Sequence, residues 1–419
     1  MREMGDDNKI LLKGKPIFWI LIAALCLISV IEVFSATSRM TFGGSQNYLK
    51  PVIGHVIHLG IGLFCLYIVH RIPYRYFKII PYVLLPLAAV ALIYLLVKNH
   101  AAGGSGQRWI ALPGFSLQPS ELAKMGVLVA VSSILSRQDR SDEMSQLRTF
   151  IRILVLTSFF VLLICPENLS TAVLLAGVVF LMMIVGRVRA KYMILLSAIG
   201  GGLIVLVLIL MVKIPPARVD TMHLPERFKT WQARVLDFID KSEELSAKAY
   251  VMQIARDKPQ ETHANIAIAT SNIFGKGPGN SVERDFLQEA SCDFIYAIII
   301  EELGLLGAVV VMFIYLWILL KIGGVAASCG ERKFPRYLAM GIGFMMMMQA
   351  LVNMAVAVGL IPVTGQPLPL ISTGGTSILV TCVYFGMLLS ISWSAVDQPS
   401  EIAVGEGSGE SSETNVESV

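Results

Sequence analysis

Residues 288–304, QEASCDFIYAIIIEELG, mark the point where a long polar segment ends and a strongly apolar one begins. Three acids fall at or inside that edge: Asp293, Glu301 and Glu302. A carboxylate near or within a hydrocarbon layer costs roughly 2–3 kcal/mol or more, so its presence calls for a function or a partner. The stretch points to a chain that crosses a membrane and does chemistry at its surface.

Composition agrees. Of 419 residues, 55% are hydrophobic and 15% charged. No soluble fold of this size could cover so much apolar side chain with polar surface, so the class is an all-α polytopic membrane protein. About ten segments have spanning length. They lie near 16–36, 51–70, 78–98, 117–136, 149–165, 168–186, 190–213, 292–320, 335–359 and 376–396. Alternate connections are basic: Lys9, Lys13 and Lys15 at the start, then Arg71, Arg75 and Lys78, then Arg137, Arg140 and Arg148, then Arg187, Arg189 and Lys191, then Lys321, Arg332, Lys333 and Arg336. By the positive-inside rule both termini are cytoplasmic. The expected organisation is a cytoplasmic N-terminus over 1–15 and a ten-span membrane domain over 16–397, with a disordered cytoplasmic tail over 398–419. A large extracytoplasmic loop, 214–291, separates spans seven and eight. The first apolar run is too long for a signal h-region and reads as an uncleaved anchor.

Several classes drop out. There is no Walker motif and no dinucleotide fingerprint, which argues against a nucleotide-driven pump. No basic run with interleaved aromatics points to nucleic acid. The six cysteines form no C-x-x-C pair, and most sit in apolar runs where Cys acts as a small hydrophobe. His55 and His58 share a helix face and read as a polar pair turned to the bundle interior. In the large loop, Phe228, Trp231, Val235, Phe238 and Ile239 recur at helical spacing, as in an amphipathic helix.

Four stretches could carry chemistry. In the first, Asp293 sits at the outer mouth of span eight, and Glu301 lies eight residues deeper, roughly 12 Å along a helix. That exceeds the about 5–10 Å of paired-carboxylate hydrolases, so Asp293 would act alone as a general base. Glu301 and Glu302 then read as structural, paired with a cation elsewhere. The second joins Arg108-Trp109 to Gln118-Pro119-Ser120-Glu121 and Lys124. It is either a helix entry with a local ion pair or a polar lining for an anionic headgroup. The third, Gly275 to Ser281, is glycine-rich; it could cradle a phosphate or be a plain tight turn. The fourth, Pro362 to Gly375, has too many prolines and glycines for a continuous helix and reads as a re-entrant or cavity-lining loop.

Together these stretches resemble the SEDS family (shape, elongation, division and sporulation), the group of FtsW, RodA and SpoVE. The resemblance rests on Arg108-Trp109 with Gln118-Pro119-Ser120-Glu121-x-x-Lys124, on Gly277-x-Gly279-Asn280-Ser281, on Glu289-x-x-x-Asp293-Phe294 with Glu301-Glu302-x-Gly304, and on Pro362-x-Thr364-Gly365-x-Pro367-x-Pro369 with Ser372-x-Gly374-Gly375. It implies the SEDS fold and a peptidoglycan glycosyltransferase polymerising lipid II on the outer face of the cytoplasmic membrane. Gly-Pro-Gly-Asn-Ser leans toward the division branch rather than the elongation branch, and so to septal wall synthesis.

On this resemblance Asp293 is the catalytic residue. Arg108, Gln118, Ser120, Glu121, Lys124, Arg234, Gly277, Asn280, Ser281, Thr364 and Ser372 face substrate. Glu301, Glu302, Pro362, Gly365, Gly374 and Gly375 support the site. A divalent cation, magnesium or manganese, is compatible with Asp293. The implied partners are lipid II, a class B penicillin-binding protein transpeptidase and other divisome membrane proteins. One position departs from the family: Pro166-Glu167-Asn168 carries Asn168 where an acid is common. A lipid II flippase and a scaffold for the transpeptidase are the competing readings.

Overall fold

The computed structural model describes residues 14–37, 49–101, 107–112, 115–214, 231–233, 236, 259–287 and 292–396. In lipid a lone segment satisfies its backbone only as a helix, so the apolar runs become helices. They are α1 (Pro16–Thr37), α2 (Leu49–Val69), α3 (Ile80–Ala101), α4 (Pro119–Ser136), α5 (Glu143–Ile164), α6 (Leu169–Val185), α7 (Ala190–Lys213), α8 (Pro259–Thr270), α9 (Ile295–Ser328), α10 (Lys333–Ala357) and α11 (Gly375–Val396). Among the described residues, eight helices are long and apolar enough to cross a membrane: α1, α2, α3 with its 3-10 lead-in Tyr74–Ile79, α5, α7, α9, α10 and α11. The other two expected spans correspond to α4, diluted by buried Ser120, Glu121, Lys124 and Ser132, and to α6, which has 17 residues.

The chain departs from the sequence reading in several places. A two-stranded hairpin, β1 (Ile110–Leu112) and β2 (Phe115–Leu117), pairs Ile110 with Leu117 just before α4. The fifth span already begins at Glu143, because Asp142 accepts hydrogen bonds from the N–H groups of Met144 and Ser145. Within the large loop, α8 was not foreseen. Of the expected amphipathic helix, Trp231–Ala233 and Leu236 are helical, and the rest lies outside the described residues. Residues 1–13 and the expected tail also lie outside them.

The bundle has a centre and a rim. The apolar window of α11 is 78% buried and that of α10 is 61%, against 6% for α7. α11 lies along α2, and small residues permit the approach. A Cβ on Gly62 would meet Cys382 Sγ at 2.8 Å, and one on Gly386 would meet Val69 Cβ at 2.9 Å. α10 packs on α9, α4 and α6.

α9 is not one continuous helix. Gly304 has φ 72° and ψ −175°, a conformation essentially confined to glycine. Lipid cannot satisfy the backbone groups freed by such a break; here the segment 272–277 does. The N–H groups of Lys276 and Gly277 donate to the carbonyls of Glu301 and Glu302 at 3.0 and 2.8 Å. Those of Leu305 and Leu306 donate to Asn272 and Ile273 at 3.3 and 3.2 Å. Where the two segments cross, glycine faces glycine. A Cβ on Gly275 would lie 2.4 Å from the nitrogen of Gly304, and one on Gly304 would lie 2.4 Å from the nitrogen of Gly275.

Candidate functional site

The loop between α10 and α11 forms one wall of the site. α10 stops at Val358 and Gly359 turns with φ +73°, after which Pro362, Pro367 and Pro369 forbid another helix. Prolines donate nothing, so the loop is held by its carbonyls. Tyr315 of α9 donates to Pro369 O at 2.5 Å, Gln349 of α10 to Pro367 O at 3.2 Å, and Ser29 of α1 to Ile371 O at 2.9 Å. Ser372 accepts from the N–H of Leu368 at 2.7 Å, closing the turn in which Leu370 has φ +64°.

This loop is sewn to the start of α9. Ser372 donates to Cys292 O at 2.7 Å. Asn353, buried on α10, donates to Asp293 O at 3.1 Å and to Gln366 O at 2.8 Å. Gln366 in turn donates to the hydroxyl of Thr171 on α6 at 2.6 Å. Asp293 is thus fixed through its backbone while its half-buried carboxylate faces the loop. Gly365 is where the motifs meet. From the position of a Cβ there, Arg108 Nη1 is 2.8 Å away and Asp293 Oδ2 is 3.5 Å away. Its φ of +70° favours glycine, and a side chain there would have to displace the Arg108 guanidinium.

α4 supplies the next wall. Its N-terminal residues Gln118, Ser120, Glu121 and Lys124 are all buried. The N–H of Gln118 donates to the Thr376 hydroxyl at 3.1 Å, which itself donates to Ser116 O at 2.6 Å. β2, α4 and α11 are thereby pinned together. Lys124 Nζ lies 2.7 Å from Glu121 Oε1, with both side chains at most 4% exposed. The contact is close enough for an ion pair but poorly aligned for a hydrogen bond, so the ammonium keeps donors to offer. Thr364 Oγ1, Gln366 Oε1 and Asn353 Oδ1 are likewise buried polar atoms with no hydrogen-bond partner among the described residues.

The glycine-rich turn does something other than cradle substrate. Glu301 and Glu302 are fully buried, and the turn wraps both. Glu301 accepts from Lys276 Nζ at 2.6 Å, from the Ser281 hydroxyl at 2.5 Å and from the N–H of Val282 at 3.0 Å. Glu302 accepts from the N–H groups of Gly279 and Ser281 at 3.0 and 3.2 Å and from the Ser35 hydroxyl. Arg284 stands 3.7 Å from it. The anion seated in this nest is the protein's own pair of carboxylates. Gly277 and Ser281 therefore spend their donors inside the chain, and Asn280 Nδ2 donates to Lys276 O at 3.0 Å. The resemblance places these three residues toward substrate; here the donors of Gly277 and Ser281 are engaged within the chain, and Asn280 is exposed.

Asn168, at the position where the resemblance leads one to expect an acid, caps α6: its Oδ1 accepts from the N–H of Thr171 at 3.2 Å. Asn and Asp cap equally well, so the exchange keeps the helix start. Asn168→Ala is expected to destabilise the protein by about 1 kcal/mol; an unchanged thermal midpoint would refute the cap. Arg234 lies outside the described residues. Among the described residues no three His, Cys, Asp or Glu side chains come together to hold a metal ion. Arg108 and Lys124 are the basic side chains at the site. Asn353, Gln366 and Thr171 went unnoticed in the sequence. The available signal was a polar pair, Gln349 and Asn353, one turn apart in an otherwise apolar α10.

The sequence matches the family of cell cycle proteins comprising FtsW, RodA and SpoVE over residues 15–396. A relative from Nitrosomonas europaea, named "Probable peptidoglycan glycosyltransferase FtsW", is 32% identical over 389 residues, covering 89% of this chain and 90% of its own. One of the same name from Allochromatium vinosum is 32% identical, covering 89% and 88%. A chain of a solved peptidoglycan synthase complex superposes with a TM-score of 0.65 at 21% identity, over 92% of this chain and 99% of that one. The crystal structure of the rod shape determining protein RodA from Thermus thermophilus gives 0.60 at 21% identity, over 90% and 96%.

Proposed function

The chain belongs to the FtsW, RodA and SpoVE family of cell cycle proteins, and from that premise we propose that it is a peptidoglycan glycosyltransferase polymerising lipid II for the division septum. The observation that carries the reading is the convergence of Arg108 and Asp293 on Gly365, beside the proline-rich loop.

In the proposed reaction the Asp293 carboxylate takes the proton of the 4-hydroxyl on an acceptor's terminal N-acetylglucosamine. That oxygen attacks C1 of N-acetylmuramic acid on the donor lipid. The bond from C1 to the diphosphate breaks, undecaprenyl diphosphate leaves with the electron pair, and C1 inverts. Arg108 and Lys124 offer positive charge to the departing diphosphate, which is where charge grows in the transition state. Thr364 and Gln366, whose buried oxygens have no hydrogen-bond partner among the described residues, line the sugar side with Gln118 and Ser120, while Ser372 holds the loop to Cys292.

The protein is a multi-pass membrane protein. We place it in the bacterial cytoplasmic membrane with both termini inside, ten spans, and the loop 214–291 outside. A class B penicillin-binding protein and other divisome membrane proteins are its proposed partners. Purified protein with that transpeptidase, given labelled lipid II, is expected to produce a ladder of glycan chains on a gel. Folded protein that leaves lipid II unreacted would sink the assignment.

Asn353 acts as a positioning residue, since it holds the backbone of Asp293 against the loop. A misplacement of about 1 Å costs on the order of a hundredfold in rate. Asn353→Ala is expected to lower kcat by about that factor and leave KM for lipid II nearly unchanged. A rise in KM with kcat intact would instead assign Asn353 to binding.

A further inference from the structure

On the opposite end of the bundle, the end that the charge bias places in the cytoplasm, three helices enclose a groove with a cavity volume of about 340 Å³. Each presents a ridge at helical spacing. Lys78, Pro81, Tyr82 and Leu85 come from the start of α3 and its lead-in turn. Ala130, Ile134 and Arg137 come from the end of α4, and Ser145, Arg148, Arg152 and Leu156 from the start of α5. Lys78, Arg137 and Arg148 lie toward the helix ends, Arg152 lies deeper on α5, and Leu85, Ala130 and Leu156 are apolar lining.

The groove is charged without a counter-charge. It is lined by Lys78, Arg137, Arg148 and Arg152 and by no acid. Among the described residues none of the four pairs with a carboxylate. The acids nearby in sequence are engaged elsewhere. Glu143 holds Arg189 and Lys191, Asp142 caps α5, and Asp139 accepts from Ser141. Lys78 is further occupied only by the ring of Phe334, 5.0 Å away. Arg152 sits nine residues into a spanning helix, roughly 13 Å from its start. A cation at that depth is costly unless an anion meets it.

We propose that this groove binds an anionic phospholipid, its phosphate held by the four cations and its acyl chains lying along the apolar lining. Basic pockets between helices on the cytoplasmic side are suited to such headgroups. A free anion would use the cations alone and leave the apolar lining without a role. Tyr82, which lines the groove, is 73% exposed, so the groove opens to the outside of the bundle.

The test uses the full chain in phosphatidylcholine nanodiscs doped with phosphatidylglycerol, with retained lipid read by native mass spectrometry. The wild type is expected to retain phosphatidylglycerol preferentially. The double variant Arg148→Ala, Arg152→Ala should lose about twenty-five-fold of that preference, at about fivefold per cation. Arg75→Ala, removing an exposed cation outside the groove, should change nothing. Should the double variant lose its fold, Leu156→Trp fills the apolar part of the groove and keeps every cation; reduced retention is again expected. Equal retention by wild type and the folded groove variants, or an equal loss in Arg75→Ala, overturns the proposal. Displacement of the lipid by inorganic phosphate or glycerol 3-phosphate overturns it in favour of a free-anion site.

Discussion

Asp293→Asn is expected to lower lipid II polymerisation by about 10²–10⁴-fold while leaving lipid II binding within a small factor of wild type. That range is what a positioned general base contributes. Asparagine matches the carboxylate in shape but accepts no proton. The main-chain anchors of this turn do not use the carboxylate: Asn353 grips Asp293 O and Ser372 grips Cys292 O. Folding should therefore survive the change. Chain assembly on gels and binding of a fluorescent lipid II report the two quantities separately. Glycan made at the wild-type rate would remove Asp293 from the chemistry. Loss of binding together with activity would make it a substrate contact instead.

The largest effect on stability is expected at the break in α9. Gly304→Ala must bring a methyl group to 2.3 Å from Ile273 O in a backbone conformation that L residues avoid. The neighbours are backbone atoms locked in hydrogen bonds on both sides, so neither segment can yield cheaply. Strain and overpacking together are expected to cost about 3 kcal/mol or more. Gly279→Ala is the control. It shares the left-handed backbone, φ +86°, but nothing lies within 4 Å of its Cβ position. Its expected cost is about 1–2 kcal/mol, the backbone penalty alone. Thermal unfolding in detergent should therefore rank Gly304→Ala well below Gly279→Ala. Equal midpoints would show that the crossing adds nothing.

The helices were legible because lipid leaves a backbone few options, and a long apolar run reports that directly. What lay hidden was decided by contacts far apart in sequence. The paired strands 110–112 and 115–117 are too short for a convincing alternation. The glycine-rich turn is readable as a plain tight turn or a phosphate cradle, and its chemistry is that of an anion nest. Its real anions, Glu301 and Glu302, lie some twenty residues downstream and announced themselves only as costly acids. One observation explained the other, but no local pattern joined them. Asn353 was masked by its methionine-rich neighbours, and its role depends on α9 and the 362–375 loop arriving on either side.

The nest has a consequence for how the outer loop can vary in length. Between Gly275, fixed against Gly304, and Arg284, fixed against Ser35 and Glu302, the amides of residues 276, 277, 279, 281 and 282 each have an assigned acceptor. An insertion or deletion of one residue in this run would shift the amides past their acceptors and strand two carboxylates in the interior. Gly275 to Arg284 is therefore a ruler of fixed length set into the outer loop.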